Sequence, residues 1–111
     1  MKKQEWRIEQ HLVDECKRIG LLCLKVKAVG RRGFPDRSIF GPAGELFLVE
    51  TKTVEGELSR QQKETIEQLR GLGFKVFVPK SAEEVNRALF EILQEIETTR
   101  VFAGYLAKGL V

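Results

Sequence analysis

The 111-residue chain has few of the features that would assign it at once to a class of protein. No apolar run approaches the roughly 20 residues that span a bilayer, so the sequence predicts no transmembrane helix. The stretch MKKQEWRIEQ enters an amphipathic pattern without an apolar signal core, which favours a cytoplasmic protein. The two cysteines, Cys16 and Cys23, match neither a disulfide framework nor a zinc site. We expect both thiols to be reduced and buried.

Acidic residues are missing from one segment of the chain. No Asp or Glu occurs between Cys16 and Pro35, although the whole chain has 16 of them and a net charge of only +3. The basic residues within or just after this segment are Lys17, Arg18, Lys25, Lys27, Arg31, Arg32 and Arg37. Such a surface suits a polyanion, or it is a solvated face whose counter-charges lie elsewhere in the chain. Charge alone leaves both interpretations open.

The length and composition of the chain indicate one globular domain, residues 1–111. Hydrophobic residues make up 42% of the chain and charged residues 32%, which is ordinary for a soluble domain with a single core. Apolar spacing and breakers predict helices over 4–19, from 59 to about 71, and from 81 through 96. They predict strands over 21–29, 36–41, 45–52 and 74–79, with a loop over 30–35. The order α-β-β-β-α-β-α predicts an α/β sandwich with a central mixed sheet.

The stretch GPAGE (41–45) suits a three-residue hairpin loop, in which a type I turn is followed by Gly44 in the left-handed region. Counting back from this loop places Asp36 directly opposite Glu50, roughly 5 Å apart at Cβ. Lys52 shares their face because side chains two apart on a strand point the same way. A two- or four-residue loop would put the two carboxylates on opposite faces of the sheet.

Two adjacent carboxylates repel each other unless one is protonated or a cation lies between them. With a divalent cation, Asp36 and Glu50 form the hard-oxygen site that Mg²⁺ prefers. Lys52 could then position a water or stabilise developing negative charge, which is an arrangement for hydrolysing a phosphodiester. The alternative is a structural ion pair, Glu50 with Lys52 or Asp36 with Arg37.

The first predicted helix adds a further carboxylate. Glu9 precedes Leu12 and Val13 by one helical turn, so it lies at the border of the apolar face. Glu5, one turn earlier, is the less favoured substitute. His11 lies on the polar side of this helix, where we expect it to be solvated.

Together these motifs resemble the stand-alone VRR-NUC domain nucleases of phages and bacteria, within the PD-(D/E)xK restriction-endonuclease-like superfamily. The pattern is a helix glutamate, then P-D, thirteen residues and E-x-K, and the resemblance covers roughly residues 5 to 87. The stretches that carry it are IEQHLVDECKRIGLLCLKV, GRRGFPDRSIF, ELFLVETK, LSRQQKETIEQLRGLGFKVFV and SAEEV. The resemblance implies a restriction-endonuclease-like fold for the predicted sandwich.

The resemblance also implies roles for individual residues. Asp36 and Glu50 would bind Mg²⁺ or Mn²⁺ together with the backbone carbonyl of Thr51, and Lys52 would act at the nucleophile. Glu9 matches the helix acid that binds a metal or orients it through water. The family commonly has E-L-K where this chain has E-T-K, a change that a backbone ligand tolerates.

Gln62 matches a glutamine that lies near the site in the family. It has a competing role, because SRQQ (59–62) is also a capping box with Gln62 at its third helical position. The sequence does not decide between the two roles.

The resemblance therefore implies a Mg²⁺-dependent DNA endonuclease that selects branched DNA such as Holliday junctions, acting in a bacterial host cell if a phage encodes it. The alternatives are a non-catalytic nucleic-acid-binding module of the same fold, or a nuclease that acts on linear or nicked DNA ends. No membrane and no small-molecule cofactor is expected. The residues expected to hold DNA phosphates are Lys25, Lys27, Arg31, Arg32 and Arg37.

Residues 88–111 lie outside the core of the resemblance. The stretch VFAGYLAKGLV (101–111) has a single charge, Lys108, so an apolar surface must be covered. It either folds back onto the core of its own chain or forms a twofold homodimer. We favour the homodimer, because resolving a junction requires two symmetric cuts.

Overall fold

The computed structural model describes residues 3–109 and contains three helices and four strands in that range. In chain order they are α1 (Lys3–Ile19), β1 (Leu22–Lys25), β2 (Arg37–Phe40), β3 (Leu46–Val49), α2 (Arg60–Gly71), β4 (Lys75–Phe77) and α3 (Ala82–Ala107). The predicted order α-β-β-β-α-β-α is confirmed. None of the helices in the described range is long and apolar enough to cross a membrane.

The four strands form one mixed sheet in the order β1-β2-β3-β4. The first three strands are antiparallel neighbours, and β4 pairs parallel to β3 after the α2 crossover. The sheet separates two apolar layers. Ile39, Phe47 and Val49 pack with residues of α1 and α3 on one face, while Leu48 and Val76 pack with α2 on the other.

The hairpin between β2 and β3 has the predicted register. Phe40 pairs with Leu46 and Ser38 pairs with Leu48. The Gly41 N–H donates to the Glu45 carbonyl at 2.8 Å, and Gly44 has φ +86° in the left-handed region. The three-residue loop therefore sets the parity of both strands, as expected from its turn residues.

All four strands are shorter than predicted, and helix α3 is longer. The strand predicted over 21–29 ends at Lys25, because the chain turns at 28–31 with Gly30 at φ +82°. Helix α3 continues to Ala107, and its exposed Val101 and Phe102 lie off the core. The fold-back alternative is therefore wrong for these two residues. Residues 110–111 lie outside the described range.

Three predicted environments can be compared with the structure. Cys16 and Cys23 are both free, but only Cys16 is buried, while Cys23 is half-buried on β1. His11 is half-buried rather than solvated, with its Nε2 2.8 Å from Asn86 Oδ1. This contact joins α1 to α3, so the expectation of a solvated ring is corrected.

Candidate active site

The start of β2 and the end of β3 bring two carboxyl groups together. The last residues paired there are Arg37 and Val49, so the next residues out, Asp36 and Glu50, lie opposite each other. The Asp36 N–H donates to Glu50 Oε1 at 3.2 Å, which ties the Glu50 side chain to the neighbouring strand. The predicted proximity of these two acidic residues is therefore present in the structure.

Hydrogen bonds to the chain after β4 extend the end of β3. The Glu50 N–H donates to Phe77 O at 2.9 Å, and the Lys52 N–H donates to Pro79 O at 3.1 Å. Along an extended chain, the backbone N–H and C=O groups of successive residues point to alternate sides. Because those of Glu50 and Lys52 point toward the β4 side, those of Thr51 point toward β2. The Thr51 carbonyl is thus on the side of Asp36, where a backbone metal ligand is expected.

Burial perturbs the chemistry of Glu50. Only 3% of this residue is exposed, and burial together with the Asp36 charge raises the pKa of Glu50 from 4.5 to about 7. The nearby Lys52 ammonium and the hydrogen bond from Asp36 oppose this rise in pKa without cancelling it. The ionised form of Glu50 is therefore disfavoured in the absence of a cation, chiefly by burial and then by the Asp36 charge.

Gln62 makes the contacts expected of both a capping residue of α2 and a residue near the site. Its Oε1 accepts from the Ser59 N–H at 2.8 Å, while its own backbone N–H donates to Ser59 Oγ, which completes the capping box of α2. Its Nε2 donates to Glu50 Oε2 at 3.2 Å. Because the cap holds the amide oxygen, the amide nitrogen is oriented toward the site.

Lys52 lies beside a helix carboxylate, which is Glu5. The Lys52 Nζ is 3.9 Å from Glu5 Oε1, and both side chains are largely buried. The Glu5 charge also contributes to raising the pKa of Glu50. The sequence favoured Glu9 over Glu5 for the helix acid of the site, but the structure places Glu5 next to Lys52.

Glu9 is instead engaged by two basic residues of the sheet. Its Oε2 accepts from Arg37 Nε at 2.9 Å and Nη2 at 2.8 Å, and lies 3.7 Å from Lys25 Nζ. Among residues 3–109, no group of three or more Asp, Glu, His or Cys side chains is placed to hold a metal. The structure therefore does not bring Glu9 into one cluster with Asp36 and Glu50.

The basic residues expected to hold DNA fall into two groups. The Arg37 side chain is only 18% exposed and is ion-paired with Glu9, so it is less accessible to a phosphate than the other predicted DNA ligands. Arg31 lies against α2, donating to Thr65 Oγ1 and Gln68 Oε1. The side chains that remain exposed are those of Lys25, Lys27, Arg31 and Arg32.

A close backbone approach holds the basic loop (residues 30–35) beside the site. Gly33 has φ +83°, and a Cβ there would lie 2.4 Å from the backbone of Gln61. Only glycine satisfies both the left-handed conformation and this approach to α2. The loop is thereby fixed next to Gln62, and hence next to Glu50.

Two carboxylates on adjacent strands, followed by a lysine at the end of a mixed sheet, suit phosphodiester hydrolysis. The donor set of Asp36, Glu50 and the Thr51 carbonyl fits Mg²⁺, which binds through one or two carboxylates and keeps several waters. Such a cation would favour the ionised form of Glu50, which burial and the Asp36 charge disfavour. The fold and the site define the class of the protein as a nuclease.

Comparisons with known proteins agree with this class. A family model described as the VRR-NUC domain matches residues 3–83. "Putative nuclease p44" of Acyrthosiphon pisum secondary endosymbiont phage 1 is 36% identical over 80 residues, which cover 72% of this chain and 86% of that protein. A solved structure described as a VRR_NUC domain superimposes with a TM-score of 0.73 at 27% identity, over 79% of this chain and 96% of the other. The chain belongs to the VRR-NUC domain family.

Proposed function

We propose that this nuclease is a Mg²⁺-dependent DNA endonuclease whose metal site is Asp36, Glu50 and the Thr51 carbonyl. The observation that carries the proposal is the buried Glu50 facing Asp36, with a pKa raised to about 7 by burial and by the Asp36 charge. Mg²⁺ or Mn²⁺, when bound, supplies a Lewis acid that lowers the pKa of a water and neutralises charge on the phosphate. The PD-(D/E)xK pattern of the sequence supports the same assignment.

The protein's own residues have distinct tasks in this mechanism. Lys52 donates hydrogen bonds to the attacking water and to the phosphate oxygens, whose charge grows in the transition state. Glu5 holds the Lys52 ammonium, with the two groups 3.9 Å apart. Gln62 and the Asp36 N–H each donate to one oxygen of Glu50, so the carboxylate keeps a single orientation.

The DNA would be bound through its phosphates rather than its bases. Lys25, Lys27, Arg31 and Arg32 present exposed cations on the segment that lacks acidic residues. Phosphate contacts position a duplex without reading its sequence. We therefore expect selectivity for DNA shape, with branched DNA such as a Holliday junction as the preferred substrate. If a phage encodes the protein, it would act in the cytoplasm of the bacterial host cell.

The experiment that tests this function compares linear, nicked, flap and four-way DNA in the presence of Mg²⁺, Mn²⁺ or EDTA. Cleavage of branched DNA that requires the cation is expected. Binding without cleavage of any substrate would favour the non-catalytic module, and equal cleavage of linear or nicked ends would favour the end-directed nuclease.

Replacing Arg31 and Arg32 together by alanine is expected to weaken DNA binding and to flatten its salt dependence. Removing one arginine–phosphate interaction reduces the slope of log affinity against log salt by roughly one unit. Arg31→Ala and Arg32→Ala alone separate the two contributions, because Arg31 also donates to α2. Arg87→Ala, on the exposed side of α3, serves as the control. A slope equal to that of the wild type would show that the basic loop does not contact DNA.

A homodimer is proposed because a junction needs two symmetric cuts. Among the described side chains of α3, the large apolar ones that are exposed are Phe90, Leu93, Val101 and Phe102, and a hollow of about 490 Å³ lies beside the last two. A twofold axis would bury the same surface on both subunits.

Sedimentation at micromolar concentration should give twice the 12.7 kDa chain mass. Phe102→Glu is expected to yield a monomer, because a charge would replace an apolar side chain that lines the hollow. Val54→Glu, at a more exposed position outside α3, should leave the dimer intact. A monomer for the wild type, with and without DNA, would contradict this assignment.

A further inference from the structure

Trp6 is the only tryptophan of the chain, and 56% of it is exposed. It follows Glu5, whose carboxylate lies 3.9 Å from the Lys52 ammonium. A large exposed aromatic side chain thus follows Glu5 directly on α1. The proposed mechanism gives this side chain no task.

Trp6 also lines a small hollow between α1 and the strands β1 and β2. The other residues that line it are Glu9, Gln10, Lys25 and Arg37, and its volume is about 140 Å³. Since a water molecule occupies about 30 Å³ in the liquid, this space corresponds to roughly five waters. It therefore has room for one small planar group rather than for a protein segment.

The polar groups around the hollow are unevenly satisfied. Arg37 and Lys25 both approach Glu9 Oε2, whereas Glu9 Oε1 is buried without a hydrogen-bond partner. Glu9 itself is 5% exposed. Two cations and one anion leave a net positive charge, together with one carboxylate oxygen that lacks a donor.

These three features match a nucleotide of DNA. An indole face stacks on any base, a carboxylate oxygen accepts from the N–H groups on a base edge, and a lysine neutralises a phosphate. A base can use an aromatic face only when it has left the stack of its own duplex.

We propose, on the basis of the nuclease function above, that Trp6 stacks on an unpaired or unstacked base beside the bond that is cut. Lys25 neutralises the adjoining phosphate, and Glu9 accepts a hydrogen bond from the base edge. The substrate class is therefore DNA that exposes such a base at a branch or an interruption. A continuous duplex gains no affinity from Trp6, because every base there is already stacked on both sides.

Because Trp6 is the only tryptophan, its fluorescence reports this stacking directly. The full chain with Lys52→Ala, kept in Mg²⁺, is titrated with four-way DNA, with duplex DNA carrying an unpaired base, and with continuous duplex. Quenching is expected with the first two DNAs and not with the third. The wild type in EDTA provides a second, uncut sample.

Binding and cleavage by variants give the independent measurement. Trp6→Ala should lose roughly 5- to 150-fold in affinity for branched DNA, the range found for one stacked base, and should retain its affinity for continuous duplex. Trp6→Phe should recover most of the affinity, since it restores an aromatic face. Phe74→Ala removes an exposed aromatic side chain just before β4, at the end of that strand farther from Glu50. This control variant should bind DNA like the wild type.

Unchanged Trp6 fluorescence at saturating branched DNA would overturn the proposal, as would equal losses of affinity for branched and continuous DNA. A fluorescence change that follows protein concentration without DNA would also overturn it, because Trp6 would then lie between protein copies. Failure of the proposed nuclease function would show as an absence of cleavage by the wild type on every DNA. That result is distinct from a failure of the Trp6 proposal. Trp6 quenching is measured without cleavage.

Discussion

Lys52→Ala is expected to reduce DNA cleavage at least ~100-fold, the usual cost of removing one donor that stabilises transition-state charge. DNA affinity should remain within a few-fold, because the substitution acts on the transition state rather than on the bound ground state. The fold should persist, since Lys52 lies three residues beyond β3 and its backbone N–H keeps its hydrogen bond to the Pro79 carbonyl. Single-turnover cleavage of branched DNA and equilibrium binding in EDTA measure the two quantities separately.

The control for this variant is Lys75→Ala. Lys75 is also ion-paired, with its Nζ 3.4 Å from Glu95, but it lies at the start of β4, at the far end of the sheet from Glu50. The Lys75→Ala variant should cleave DNA at the wild-type rate. If Lys52→Ala cuts at the wild-type rate, Lys52 has no role in the reaction.

Glu50→Gln is expected to abolish Mn²⁺ binding and cleavage while stabilising the metal-free protein at pH 8. The folded protein holds the Glu50 proton up to a pKa of about 7, whereas the ordinary pKa of this group is 4.5. Between these values the native state binds more protons than the unfolded state, so the unfolding free energy falls as pH rises. Above pH 7 the wild type carries the full cost of the buried charge.

The size of this effect follows from the pKa difference. Each unit corresponds to about 1.4 kcal/mol, so the wild type should lose about 3 kcal/mol between pH 4.5 and pH 7 relative to Glu50→Gln. The other titrating groups are shared by both proteins, so the difference between the two pH profiles isolates Glu50. The gain at pH 8 will be smaller than 3 kcal/mol, because the glutamine cannot accept from both the Asp36 N–H and Gln62 Nε2.

Urea unfolding in EDTA from pH 4.5 to pH 8 measures these profiles. Adding Mg²⁺ at pH 8 should stabilise the wild type by mass action and leave Glu50→Gln unchanged. Asp36→Asn provides the matched variant, since it should also lose Mn²⁺ binding in calorimetry. Parallel pH profiles for wild type and Glu50→Gln would show that the pKa of Glu50 is not raised in the folded protein. Stoichiometric Mn²⁺ binding by both variants would place the metal elsewhere.

Local signals in the sequence determined the parts of the protein that depend on neighbouring residues. Turn residues of GPAGE specified the loop length, and loop length alone determines whether Asp36 and Glu50 share a face. Hydrophobic periodicity and breakers gave the correct order of helices and strands. The end of β1 was missed because the apolar pattern continues past Lys25, while pairing stops where the chain turns away.

Tertiary packing decided the contacts between elements. Glu5 and Glu9 are one helical turn apart, so periodicity cannot tell which of them reaches the site, and only the placement of α1 on the sheet brings Glu5 to Lys52. The same placement pairs Glu9 with Arg37, removes that arginine from the exposed basic residues and leaves Trp6 at the surface. The sequence thus determined which strand residues face each other, because loop closure is local. Only the docking of α1 on the sheet decided which helix carboxylate lies next to Lys52, because Glu5 and Glu9 satisfy the same helical pattern.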